Sequence, residues 1–105
     1  SGMLTPNGRT FIDQGAKTAL INGNSLLPAG IISAEGNFER GDAVVICDDN
    51  NNEIARGLSA YSIRDTLDIK GKSTPEIENI LGYRGRTALV HRDDLVISDI
   101  GDYVE

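Results

Sequence analysis

"SLLPAGIISAEGNFERGD", residues 25–42, decides the fold. It reads as an extended segment of about 26–34 interrupted by a proline and a glycine. Two further glycines then frame a phenylalanine. Pro28 has no N–H to give a sheet ladder, so it places the segment at a sheet edge or a bulge. Gly30 allows a tight bend or the close approach of another backbone, as closing a small barrel demands. Gly36 and Gly41 set a turn that aims Phe38 inward, and Asp42 starts the next strand. The interruption reads mainly as a device of the fold.

Upstream, Ile12, Ala16, Ala19 and Leu20 stand at helical spacing and Gly23 follows them. This predicts a short helix over about 13–22, with Asp13 as its N-cap. Downstream, "AVVIC" at 43–47 and "EIARGLSAY" at 53–61 form a hairpin around the turn-formers of 48–52. Period two puts Ile54, Arg56, Leu58 and Ala60 on one face of the second strand. Ala55, Gly57 and Ser59 fall on the other, where Gly57 lets another backbone come close. Arg56 is expected to snorkel at a rim or to pair with a carboxylate. "SIRDTLDIKG" reads as a short helix ended by Gly71, with Ile63 and Leu67 four apart. "STPEIENILGY" reads as a better one: Ser73 and Glu76 fit a capping box, and Pro75 fits the first turn. Ile77, Ile80 and Leu81 form its stripe, and Gly82 ends it. Two short strands, 87–91 and 95–98, complete the chain. Short strands at turn-separated intervals, decorated by short helices, predict a mixed α/β, mainly β, barrel-like fold.

The bulk numbers narrow the function. The 105 residues fit one domain. A net charge of −6, from ten basic and sixteen acidic residues, opposes phosphate neutralisation, the main source of nucleic-acid affinity. The lone cysteine, Cys47, lies in an apolar run and reads as a buried reduced thiol, which suits the cytoplasm. No apolar run approaches membrane-spanning length. Ser1 and Gly2 read as a cloning remnant and residues 1–7 as a tag or linker piece. The domain is expected over 8–98, followed by an acidic tail over 99–105.

Several motifs tempt and fail. "HRDDL" at 91–95 imitates a protein-kinase catalytic loop, but Ser98 stands where that loop needs a metal-binding Asn. "GKST" at 71–74 imitates a P-loop, but Thr66 replaces the required glycine. "DDNNNE" at 48–53 alternates oxygen ligands like a calcium loop, yet Glu53 takes the glycine position and Ser59 that of the bidentate Glu. It reads as a solvated hairpin tip. "RGD" at 40–42 lacks any sign of an extracellular setting. One histidine (His91) and one cysteine assemble neither a zinc site nor a convincing nucleophile pair. No catalytic, cofactor-binding or metal constellation emerges.

The order of these segments is more specific than any one of them. "IDQGAKTAL", "SLLPAGIISAEGNFERGDAVVI", "EIARGLSAYS", "IENILGY" and "HRDDLVI" follow one another over residues 8–97. In this the chain resembles the C-terminal PUA domains of glutamate 5-kinases. Asp94 departs from the Asn expected in many of that family. The resemblance implies a PUA-like pseudo-barrel with short flanking helices. It implies a parent enzyme that phosphorylates glutamate for proline biosynthesis, with the ATP and Mg²⁺ sites in an amino-acid-kinase domain preceding this segment. That domain, in a homo-oligomer, would be the main partner. The resemblance also implies a candidate RNA face at Lys17, Asn22, Asn24, Ser25, Pro28, Ala29, Gly30 and Arg92. Only Lys17 and Arg92 there can neutralise phosphate, so RNA is a partner that the charge disfavours.

Overall fold

The computed structural model describes residues 5–98; residues 1–4 and the expected tail 99–105 lie outside them. Five strands form one mixed sheet in the order β2-β1-β3-β4-β5, where β1 is Gly8–Ile12, β2 Ile31–Gly36, β3 Ala43–Cys47, β4 Glu53–Leu58 and β5 Leu95–Ile97. Only β1 and β3 run parallel. Three short helices join them: α1 (Gln14–Ile21), α2 (Ile63–Ile69) and α3 (Thr74–Leu81).

The caps form as the residue types dictate. The Asp13 carboxylate accepts from the Ala16 N–H at 2.8 Å, starting α1. Glu76 accepts from the Ser73 N–H at 3.0 Å and from its hydroxyl at 2.7 Å, so α3 opens with a capping box. The apolar stripes are narrower than spacing implied. Ile77 is buried but Ile80 is exposed, and α2 buries Thr66 and Ile69 rather than Leu67.

The strand prediction needs four corrections. β1 was missed, because its inward residues are Thr10 and Ile12 and a buried threonine hides the apolar alternation. Residues 28–30 form a 3₁₀ turn, with Pro28 in its first position, and the strand begins only at Ile31. β4 ends at Leu58, short of Tyr61. Residues 87–91 form no strand, although Ala88, Leu89 and Val90 are buried.

That last segment has a structural task of its own. The Leu26 N–H donates to the Val90 carbonyl at 2.9 Å, and the Leu89 N–H donates to the Leu26 carbonyl at 2.7 Å. Leu26 precedes the edge strand β2, and Val90 precedes the opposite edge strand β5. Their bridge ties the two ends of the sheet together into the expected pseudo-barrel. Gly57 faces this seam. A Cβ there would lie 2.5 Å from Val90 Cγ1 and 2.8 Å from the Asp94 carbonyl, so the small face of β4 admits a backbone as predicted. Arg56 forms a two-pronged pair with Glu53 at 2.9 and 3.1 Å.

Ile12, Leu20, Leu26, Phe38, Val44, Ile46, Tyr61, Ile69, Leu89 and Val90 fill the core. Phe38 points inward as expected. Within this core the Thr10 hydroxyl has no hydrogen-bond partner among the described residues. An unpaired buried hydroxyl costs free energy that an apolar group of the same shape does not. Thr10→Val is therefore expected to stabilise the domain by about 1 kcal/mol. An unchanged or lower urea midpoint would contradict this.

Candidate functional site

The candidate face is built where α1 meets the start of β2. The Asp13 N–H donates to the Gly30 carbonyl at 3.0 Å. A Cβ on Gly30 would lie 2.5 Å from the Cβ of Ala16, so only glycine lets the helix rest there. α1 ends with Asn22 as C-cap, and Gly23 follows at φ +90°. The chain then turns through Asn24 and Ser25 to the buried Leu26.

The structure gathers half of the eight predicted residues. Asn24, Ser25, Ala29 and Gly30 line one open cavity of about 550 Å³, together with Asp13, Ala16, Ala19 and Leu27. The Arg92 N–H donates to Ser25 Oγ at 2.8 Å, which brings the residues before β5 against this face. Pro28 is buried, and Asn22 is exposed outside the cavity lining.

Lys17 is occupied elsewhere. Its ammonium lies 3.1 Å from Asp48 Oδ2. Asp48 was expected at a solvated tip, but it is only 2% exposed. Its Oδ1 accepts from the Asn50 and Asn52 N–H groups, each at 2.9 Å, and its Oδ2 also accepts from the Asn52 side chain at 3.3 Å. Both oxygens are thus spent on the protein, and Asn51 holds φ +66° at the turn. Burial pushes the Asp48 carboxyl up. The Asn52 N–H, the Lys17 ammonium and the remaining amides outweigh it and hold the group below the usual carboxylate value. Of the two cations on the candidate face, only Arg92 is left for a ligand among the described residues.

What the face offers is apolar. Leu27 is 44% exposed beside Ala16, Ala19 and Ala29, and the one charge in the lining is the Asp13 carboxylate. Phosphate would meet repulsion here rather than a cradle.

Residues 8–81 match the PUA domain family. The chain belongs to the PUA domain family. It is 52% identical over 101 residues to glutamate 5-kinase 1 of Mesorhizobium japonicum, covering 96% of this chain and 27% of that protein. It is 55% identical over 97 residues to the glutamate 5-kinase of Zymomonas mobilis, covering 92% and 24%. The chain thus spans about a quarter of the length of these curated relatives. Among solved structures, a PUA domain from Aeropyrum pernix in a tartrate complex matches with a TM-score of 0.60 at 21% identity, covering 81% of this chain and 41% of that one. An H/ACA RNP bound to a substrate RNA matches with a TM-score of 0.57 at 19% identity, covering 80% and 22%. The PUA-like fold implied by the order of segments over residues 8–97 is the fold observed.

A second cavity, of about 580 Å³, holds Arg40, Arg84 and Arg86. Sequence reading did not bring these together, because they lie on two connections more than forty residues apart.

Proposed function

We propose that this PUA domain is the non-catalytic C-terminal domain of a glutamate 5-kinase. It packs against the amino-acid-kinase domain of the same chain, helps to organise the parent's oligomer and tunes its response to Mg²⁺ and proline. The parent transfers phosphate from ATP to the γ-carboxylate of glutamate in the cytoplasm, and ATP and Mg²⁺ bind in the kinase domain. The observation that carries this reading is the pattern of similarity: identity above 50% over nearly all of this chain and only about a quarter of the kinases. The chemistry of the α1–β2 face supports it. Apolar side chains beside one carboxylate suit a protein surface better than a phosphate backbone.

Deleting this domain from the full-length kinase tests the reading. Glutamate phosphorylation is expected to persist, while oligomer mass by light scattering changes and Mg²⁺ dependence or proline inhibition shifts. Unchanged oligomer mass, Mg²⁺ dependence and proline inhibition together would refute it. RNA binding by the α1–β2 face is the competing reading, and Lys17's bond to Asp48 weighs against it. Titration of tRNA at low salt separates the two. Saturable binding that Arg92→Gln weakens would favour RNA.

A further inference from the structure

Three of the chain's seven arginines converge on one cavity, in a domain whose net charge is −6. Arg40 comes from the turn between β2 and β3, and Arg84 and Arg86 from the segment after α3. Ser59, Tyr61, Tyr83, His91 and Asp94 also line it. The only ion pair these arginines make among the described residues is a loose one, Arg86 to Asp94 at 3.9 Å. Arg40 and Arg84 have no carboxylate within pairing distance among the described residues. Like charges lining one cavity repel one another unless an anion offsets them.

The backbone that carries them is pinned. The Tyr61 hydroxyl donates to the Arg86 carbonyl. Gly85 lies against the Tyr61 ring, and any Cβ there would collide with the ring and its hydroxyl. Tyr83 donates to Asp65 at 2.6 Å, anchoring the other end of the segment to α2. On the facing connection, the Gly41 N–H donates to the Ser59 carbonyl at 2.7 Å, and the Asp42 carboxylate accepts from the Glu39 N–H at 2.8 Å. Arg40 thus leaves a turn closed on both sides. The hydrogen bond to Asp65, with burial, pushes the Tyr83 phenol up to about 12, against a smaller opposing effect of the Arg40 charge. A pinned backbone carrying three cavity-lining arginines lowers the ordering cost of gripping an oxyanion. The cavity's volume is that of a small-molecule site.

We propose that this cavity binds a small, multiply charged oxyanion of the phosphate class through Arg40, Arg84 and Arg86. It is separate from the α1–β2 face, so it stands whether or not that face docks a kinase domain.

The test is an amide NMR titration of this chain with inorganic pyrophosphate at low ionic strength. The Gly41, Ser59 and Gly85 resonances are expected to move together and saturate, with a dissociation constant of about 1 mM or tighter. Arg84→Gln with Arg86→Gln is expected to weaken binding at least about tenfold, and Arg40→Gln independently by about threefold to tenfold. Lys72→Gln removes one positive charge outside the cavity and is expected to leave affinity within about twofold. All the substituted side chains are exposed, and an unchanged spectrum elsewhere confirms the fold. Failure to saturate by about 10 mM, or equal weakening by Lys72→Gln and the arginine variants, would overturn the proposal. So would tRNA binding through these same arginines about a hundredfold tighter than pyrophosphate, which would assign the cluster to a nucleic-acid backbone.

Discussion

Gly36→Ala is expected to destabilise the domain by about 3 kcal/mol or more and to lower its melting temperature by about 12–24 °C. Two costs add at this residue. Its φ of +110° is one that L side chains rarely adopt, which costs about 1–2 kcal/mol for a residue with a Cβ. The space is also taken. The new Cβ would lie 2.5 Å from Gly8 Cα and 2.6 Å from the Asn7 carbonyl, and both are backbone that cannot rotate away. Gly8 and Gly36 face each other in register, and a Cβ on Gly8 would meet the Glu35 carbonyl at 2.5 Å. At this pair β1 and β2 leave no room for a Cβ on either strand. Gly23→Ala is the control. That residue sits at φ +90° with nothing within 4 Å, so it is expected to lose only about 1 kcal/mol. Equal losses at the two positions in urea unfolding would show that the Gly8–Gly36 pair is not tight.

Asp48→Ala is expected to cost about 2–3 kcal/mol at pH 7. The substitution strips the acceptor from two loop N–H groups, one side-chain amide and the Lys17 ammonium. The loss stays below that of a fully buried ion pair, because Lys17 keeps 28% exposure and recovers water. The sign of the pH dependence follows from the lowered carboxyl. A group whose folded value lies below its unfolded one stabilises the fold above the unfolded value, here about 4. That contribution disappears as pH falls through the folded value. The stability gap between the wild type and Asp48→Asn is therefore expected to be full at pH 7, to begin closing below about pH 4 and to be smallest below the folded value. A gap independent of pH in urea midpoints would refute the role assigned to this carboxylate. Asp48→Asn also frees Lys17, so it tests whether that pair limits RNA binding on the α1–β2 face.

The candidate face was only partly legible in the sequence. Asn24, Ser25, Ala29 and Gly30 share a cavity because they are near neighbours around one turn, which a linear reading keeps together. Lys17 was placed on the face by position along α1. Its actual orientation depends on Asp48, thirty-one residues away, and no local pattern shows that contact. The arginine cluster was hidden for the same reason. "RGD" at 40–42 and "RGR" at 84–86 carry no spacing signal, and only Tyr61, Ser59 and Asp65 bring them to one cavity.

By itself the sequence determined whatever is decided within about four residues. It specified the caps at Asp13, Ser73 and Glu76, the helix stops at Gly23 and Gly82, the hairpin of β3 and β4, and the break at Pro28. Those signals are local because a cap or a positive φ is satisfied by its own neighbours. Their order along the chain was enough to indicate the PUA fold. Only the tertiary structure decided that residues 8–12 pair with both β2 and β3, and that Gly36 owes its necessity to Gly8. It alone turned residues 87–90 into a seam rather than a strand, and a hairpin tip into the buried site of Asp48. Each of these depends on which distant backbone arrives at under 3 Å or donates an N–H. That identity belongs to the packed chain and not to any stretch of it.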